Sequence, residues 1–203
     1  MKGAVLGLSL LLSSILPANA ISQTTAEPFG LKFGTSYAEM KKLIPGLKES
    51  GQAAIYRSAT VPKPYPEFES YSFGITPTVG LCWISGVGKT IEHDPFGSTT
   101  RSNFASLRDA LAWKYGEPEV ADSLEVGSIW KGADDWAMAL YKEERVLEAN
   151  WPRGDDPLGF GLYSIELVVE GLSMSSTYLT LSYWGENFPS CRDELRAGQS
   201  DGL

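Results

Sequence analysis

His93 is the first candidate for chemistry, because a neutral imidazole can bind zinc or act as a general base. It is the only histidine of the chain, and Glu92 and Asp94 flank it. Adjacent side chains of a strand point to opposite faces, so both carboxylates would face away from the imidazole. A zinc site would then need carboxylates from elsewhere in the chain. We expect His93 to be an exposed turn residue, and a small envelope hydrolase that uses it or the acidic pairs remains an alternative.

Acidic pairs and one serine motif are the other candidates for hydrolysis. Asp134-Asp135 and Asp155-Asp156 lie close to glycine or proline, where adjacent acids usually form turns. Residues Gly171 to Ser175 approach the pattern G-x-S-x-G but end in serine, so the nucleophile elbow of serine hydrolases is incomplete. From the sequence we assign no catalytic residue, no metal ligand and no cofactor.

The segment from Gly86 to Thr90 has the Gly-Lys-Thr ending of a phosphate-binding loop. That loop has the pattern G-x-x-x-x-G-K-[ST], which requires a further glycine five residues before Gly88. The chain has Trp83 at that position. Ile91 also replaces the third glycine of the dinucleotide-binding pattern. We therefore predict a tight turn between two strands here.

Three aromatic residues are candidates for a binding surface. Trp184 follows Tyr183 in a predicted strand, so one of the two must face away from the core. Trp113 lies off the apolar stripe of its predicted helix. Tyr65 lies in the proline-rich segment 61–66, which must be extended because proline forces the preceding residue out of the helical region. Core packing explains most of the other tryptophans.

The first twenty residues predict export. Lys2 precedes an apolar run from residue 4 to 16, and Ala18-Asn19-Ala20 forms an A-x-A cleavage site, so Ile21 would begin the mature protein. The run is too short to span a bilayer, and no cysteine near Ala20 offers a lipid anchor. We expect a periplasmic protein without membrane insertion after cleavage.

The excess of acidic residues argues against nucleic acids and anionic membranes as partners. Lysine and arginine number 17 against 25 aspartates and glutamates, which gives a net charge of −8. No basic cluster could neutralise nucleic-acid phosphates, and an acidic surface is repelled by anionic lipids. The two cysteines, Cys82 and Cys191, are expected to form a disulfide, because disulfides persist in the oxidising environment outside the cytoplasm.

Periodicity predicts the elements that position these residues. A capping box at Ser36–Glu39 begins a short helix that ends at Pro45-Gly46. A second helix, 101–115, has an apolar stripe at Phe104, Leu107, Leu111 and Tyr115. Turn-bounded or alternating segments predict strands at 53–58, 71–75, 81–84, 89–92, 136–140, 146–151, 163–170 and 179–184.

This order predicts an α+β fold, an antiparallel sheet with helices packed on one face. Two helix-plus-strands units suggest two similar halves. We divide the chain into a signal peptide (1–20), a flexible N-terminus (21–28), a single domain (29–196) and a C-terminal tail (197–203).

Short motifs carry a loose resemblance to exported bacterial proteins of unknown function. They are the opening Phe29-Gly30-Leu31-Lys32-Phe33-Gly34-Thr35-Ser36, the segment Lys114-Tyr115-Gly116-Glu117-Pro118, and Ser128-Ile129-Trp130. The predicted architecture also resembles the β-lactamase inhibitor protein and related outer-membrane assembly lipoproteins. That resemblance implies a protein-binding role and assigns no residue.

Together these features favour a non-enzymatic exported module that binds a protein or a cell-envelope component, of the inhibitor or immunity type. The alternatives are the hydrolase described above and a small-ligand carrier with an aromatic cleft. The sequence leaves the oligomeric state open.

Overall fold

The computed structural model describes residues 25–151 and 158–200, with the side chains of 197–200 left out. An eight-stranded antiparallel sheet has four α-helices packed against it, which confirms the predicted α+β class. The helices are α1 (Tyr37–Leu43), α2 (Ser98–Tyr115), α3 (Trp136–Tyr141) and α4 (Phe188–Ser200). The strands are β1 (Lys48–Glu49), β2 (Ile55–Ser58), β3 (Phe68–Thr76), β4 (Gly80–Gly88), β5 (Glu119–Leu124), β6 (Arg145–Trp151), β7 (Leu162–Gly171) and β8 (Thr177–Gly185).

The strand order shows how two halves of the chain share one sheet. The order is β1-β2-β3-β4-β8-β7-β6-β5, so each half is a run of four consecutive strands preceded by a helix. The second half starts with α2 and inserts α3 between β5 and β6. Within the sheet the halves meet at a single pair, β4 with β8.

Each half begins with a capped helix. Ser36 accepts a hydrogen bond from the Glu39 backbone N–H, and the Glu39 carboxylate accepts one from the Ser36 N–H, which confirms the predicted capping box of α1. At α2 the buried Asp94 carboxylate accepts from the N–H groups of Ser98 and Thr100 at 2.8 and 2.9 Å. The Thr100 hydroxyl lies 2.6 Å from that of Thr177, so this cap also fixes α2 to β8.

The core lies on one side of the sheet, named the core face. Strand residues with alternate spacing are buried there, including Tyr71, Phe73, Ile84, Leu167 and Leu181. The predicted stripe of α2 is buried among them, and α2 contacts β7 and β8. Tyr37 of α1 packs on Tyr56, whose strand partner is Phe73, so α1 covers the same face of the first half.

The described part of the predicted flexible N-terminus packs against the domain. Ala26 is buried, and its N–H donates to the Phe160 carbonyl at 2.7 Å. Pro28 is buried at the start of a short 3-10 turn. Residues 21–24 of that segment, like the signal peptide, lie outside the described residues.

Three local predictions are wrong. The segment from Gly86 to Thr90 is not a turn, because Gly86 and Gly88 belong to β4. Phe29 and Phe68 cover Gly86 so closely that a Cβ atom there would lie 2.9 Å from the Phe29 ring. Residues 89–92 form no strand beyond a single bridge from Ile91 to Thr177.

Residues 136–140 form the helix α3 instead of a strand. Trp136, Met138 and Leu140 alternate with alanine, but alanine, methionine and leucine are strong helix formers. Asp134 and Asp135 also precede the helix, where negative charge is favourable. Trp136, Ala137 and Leu140 are buried together, which is consistent with a helical face toward the core.

The C-terminal helix α4 contacts β3 and β4 and is joined to β4 by the predicted disulfide. Cys82 and Cys191 are 109 residues apart, with a Cα–Cα distance of 6.3 Å. Phe188 packs against Trp184 at 6.2 Å between ring centroids. Trp184 is adjacent to the buried Tyr183 and faces the opposite side of the sheet, so α4 covers one end of the face that α1 and α2 leave open. Within the described residues, no helix is long and apolar enough to cross a membrane.

Replacing both cysteines, Cys82→Ala with Cys191→Ala, is expected to lower the free energy of unfolding by about 4–5 kcal/mol, because the bridge restricts a long loop of the unfolded chain. The melting temperature should fall by roughly 10–20 °C. Thermal unfolding with and without reductant measures this. Reductant should lower the wild-type value by the same amount and leave the double variant unchanged, whereas an unaltered wild-type melting temperature in reductant would contradict the prediction.

Candidate functional site

The side of the sheet opposite the core face, named the open face, has one row of polar side chains that crosses all eight strands. Cross-strand partners in an antiparallel sheet point to the same side, so the pairing registers define the row. From edge to edge it contains Lys48, Arg57, Ser72, Ser85, Ser182, Glu166, Asn150 and Glu119.

Charge along this row is ordered. The two cations, Lys48 and Arg57, lie at the β1 edge, and the carboxylates of Glu166 and Glu119 lie in the half that ends at β5. In the centre, Ser85 and Ser182 are buried between their larger neighbours, and the Ser182 hydroxyl donates to that of Ser85 at 2.9 Å across the β4–β8 junction. The open face is therefore positive at one end, neutral in the middle and negative at the other.

Two tryptophans lie beside the centre of the row. Trp83 of β4 and Trp184 of β8 are direct cross-strand partners, and both are half-buried. Phe188 of α4 packs on Trp184, and the Nε1 atom of Trp83 is buried, so α4 covers part of this aromatic pair and leaves part of it on the open face. Large aromatic side chains in such positions are the residues that contribute most to binding at protein interfaces.

Another row of side chains lies next to the polar row, on the side away from the two tryptophans. It contains Ser70, Val87, Thr180, Val168 and Glu148, all half-buried. Two depressions interrupt the open face. A groove of about 840 Å³ lies over β1–β4 and includes Lys48, Arg57, Ser70 and Ser72 in its lining. A smaller one of about 190 Å³ lies over β6–β8 and includes Asn150, Glu166 and Trp184.

The negative end of the open face is electrostatically strained. Burial raises the pKa of Glu166, and the carboxylates of Glu148 and Glu170 raise that pKa further. The three ion pairs of the described residues involve Arg108, Arg145 and Arg192, so none of them neutralises Glu166. A cationic group placed over this end by a partner would relieve the repulsion.

The three predicted binding residues are not brought together. Trp184 lies on the open face, as described above. Trp113 lies on the outer surface of α2 and is 91% exposed. Tyr65 is 45% exposed and packs on Phe68, the first residue of β3. Of the three, Trp184 alone belongs to the surface formed by the rows.

The candidates for hydrolysis have other surroundings. His93 is exposed in a bend with a positive φ of 58°. Its neighbour Asp94 caps α2, and the other neighbour, Glu92, accepts a hydrogen bond from the Ser176 hydroxyl. Asp135 accepts from the Gly132 N–H at the entry to α3, a structural role. Asp155-Asp156 lie outside the described residues.

Within the Gly171–Ser175 motif, Ser173 accepts a hydrogen bond from the Ser175 N–H. Gly171 lies so close to the α3 backbone that a Cβ atom there would be 2.2 Å from the Tyr141 nitrogen. The glycine therefore serves close packing of β7 on α3. Across the part of the chain that the structure describes, no group of three His, Cys, Asp or Glu residues is placed to hold a metal ion.

Removing the Glu166 charge is expected to stabilise the protein at neutral pH. Because folding raises the pKa of Glu166, the folded state binds its proton more tightly than the unfolded state, and stability falls as pH rises through the folded pKa. Glu166→Gln should therefore raise the melting temperature at pH 7 and make little difference at pH 4. Glu69→Gln, an exposed carboxylate of β3, is the charge-matched control. An equal or smaller gain for Glu166→Gln than for the control would contradict the prediction.

The chain matches no protein-family model, no curated protein and no solved structure. Its resemblance to exported bacterial proteins and to the β-lactamase inhibitor protein stays a prediction.

Proposed function

We propose that this protein is an exported binding module whose open face docks on a protein of the cell envelope. The observation that carries the proposal is the polar row across all eight strands, with the Trp83–Trp184 pair beside its centre and opposite charges at its two ends. The middle of this surface lacks charged residues and has aromatic side chains, whereas its ends are charged. Protein interfaces have the same composition, with an aromatic core and a polar rim.

The charge order indicates the partner's surface. Like charges across an interface repel and opposite charges orient the encounter, so the partner would present acidic groups to Lys48 and Arg57. It would present basic groups to the end that contains Glu166. A flat nucleic-acid backbone does not fit this pattern, because its phosphates would meet the carboxylates of that end.

Export is the other part of the proposal. Its support is the leader-like sequence of residues 1–20 together with Cys82 and Cys191 at disulfide distance, a pairing expected in an oxidising compartment.

The mature protein is expected to begin at Ile21 and to be recovered from the periplasmic fraction. Intact-mass measurement and N-terminal sequencing of the protein from fractionated cells test this. A replacement of the small residues of the cleavage site, Ala18→Leu with Ala20→Leu, should leave the leader attached. Recovery of full-length wild-type chain from the cytoplasm would contradict the proposal.

A site-specific crosslink is expected to identify the docking surface. A photo-crosslinking amino acid at Thr180, on the open face, should capture one envelope protein in intact cells. The same amino acid at Trp113, on the outer surface of α2, should not capture it.

A blocking variant makes this experiment specific. Val168→Arg would place a bulky cation on the open face directly beside Thr180, its cross-strand partner, and should abolish the crosslink from position 180. Trp113→Ala should leave it unchanged. Equal capture from both positions, or capture that persists in Val168→Arg, would rule out the open face as the docking surface.

A further inference from the structure

Two cations, Lys48 and Arg57, face each other at one edge of the open face. Lys48 and Arg57 are direct cross-strand partners on β1 and β2, a position in which like charges destabilise a sheet. Neither forms one of the three ion pairs present among the described residues.

The groove beside this pair offers hydroxyl groups that have no protein partner. Ser72 is the cross-strand partner of Arg57, and Ser70 lies two residues away on the same side of β3. Among the described residues, neither serine hydroxyl makes a hydrogen bond, whereas the hydroxyls of Ser85 and Ser182 bond each other. Ser70 and Ser72 are therefore free to donate to a ligand.

One acidic residue also lines the groove. Glu49 is the cross-strand partner of Tyr56, so its side chain leaves β1 on the side opposite to that of Lys48. Arg57 and Lys48 thus set the charge of the part of the groove that lies on the open face. With a volume of about 840 Å³, the groove has room for a small organic molecule as well as its charged group.

We propose that this groove binds the phosphate group of a phosphomonoester. A phosphomonoester carries close to two negative charges at pH 7, which matches the two cations. The planar guanidinium of Arg57 can donate two parallel hydrogen bonds to phosphate oxygens, and Lys48 supplies a compact second charge. The Ser70 and Ser72 hydroxyls donate to the remaining oxygens, and Val87 provides an apolar contact for the organic part.

This ligand site goes beyond the docking proposal and does not depend on it, because a small molecule can occupy the groove whether or not a protein covers the open face. The phosphate could belong to a free metabolite or to a lipid headgroup. The net charge of −8 favours the free compound, because an anionic bilayer would repel the rest of the molecule.

Titration of the isotope-labelled mature protein, followed by amide chemical shifts at constant ionic strength, tests the site. Glycerol 3-phosphate is the first probe, and vesicles that contain phosphatidic acid, a lipid with a phosphomonoester headgroup, are the second. We expect saturable shifts at the amides of Lys48, Arg57, Ser70 and Ser72 with glycerol 3-phosphate. The affinity should decrease below about pH 6, where the phosphate takes up its second proton.

Charge variants decide whether the groove is responsible. Arg57→Gln and Lys48→Gln should each raise the dissociation constant at least about tenfold through loss of a charge-assisted hydrogen bond. Arg57→Lys, which keeps the charge and loses the planar fork, should give an intermediate value. Lys131→Gln, the same charge change in an exposed loop of the other half, should have no effect. The amide spectra themselves show that each variant is folded.

Each outcome of these titrations either supports or overturns the proposed phosphate site. Binding of glycerol 3-phosphate that depends on Arg57 supports a free phosphomonoester as ligand. Binding to vesicles alone, with the same dependence on Arg57, supports the site with a lipid headgroup as the source of the phosphate. No binding to either probe, or an equal loss in Arg57→Gln and Lys131→Gln, overturns the proposal. The titration needs no envelope protein, and the crosslink from position 180 is measured with Lys48 and Arg57 in place, so the two proposals fail independently.

Discussion

The pairing of β4 with β8 is the interaction on which the rest of the structure depends. Each half of the chain forms four consecutive strands, and each would otherwise end in a strand with unpaired backbone groups. The five registered pairs from Trp83 with Trp184 to Val87 with Thr180 join the two edges into one sheet. A continuous sheet lets α1, α2 and α3 cover one shared core instead of two small ones, which buries more apolar surface per residue.

The same pairing sets which side chains form the open face. Because side chains alternate along a strand, a slip of one residue between β4 and β8 would move Ser182 to the core and Leu181 to the open face. The burial of Leu181 and Tyr183 in the core therefore fixes Ser85 against Ser182 and Trp83 against Trp184. The surface row is a consequence of core packing as much as of its own polar contacts.

Local sequence patterns were sufficient to predict the helices and strands that bury one face. The capping box of α1, the stripe of α2 and the alternation in β6, β7 and β8 all predict their elements, because burial on one side imposes a period. The edge strand β5 has no buried residue and shows no such period, and α4 was also missed. Trp184 was found through its neighbour Tyr183. The polar row could not be predicted, because serines at 72, 85 and 182 become neighbours only through the registers of distant strands.

We propose that the ordered charge of the open face serves recognition. The two halves have equivalent positions in the sheet, counted from each edge. At the edges, Lys48 of β1 corresponds to Glu119 of β5, and in the third strand from each edge Ser72 of β3 corresponds to Glu166 of β7. Four strand spacings separate Arg57 from Glu166, roughly 19 Å, which is well beyond the Debye length of about 8 Å at physiological salt. The two ends therefore cannot neutralise each other. Mixed charges on every strand would be sufficient for solubility. Segregated charges instead create an electrostatic field across the face, which orients an approaching partner or ligand.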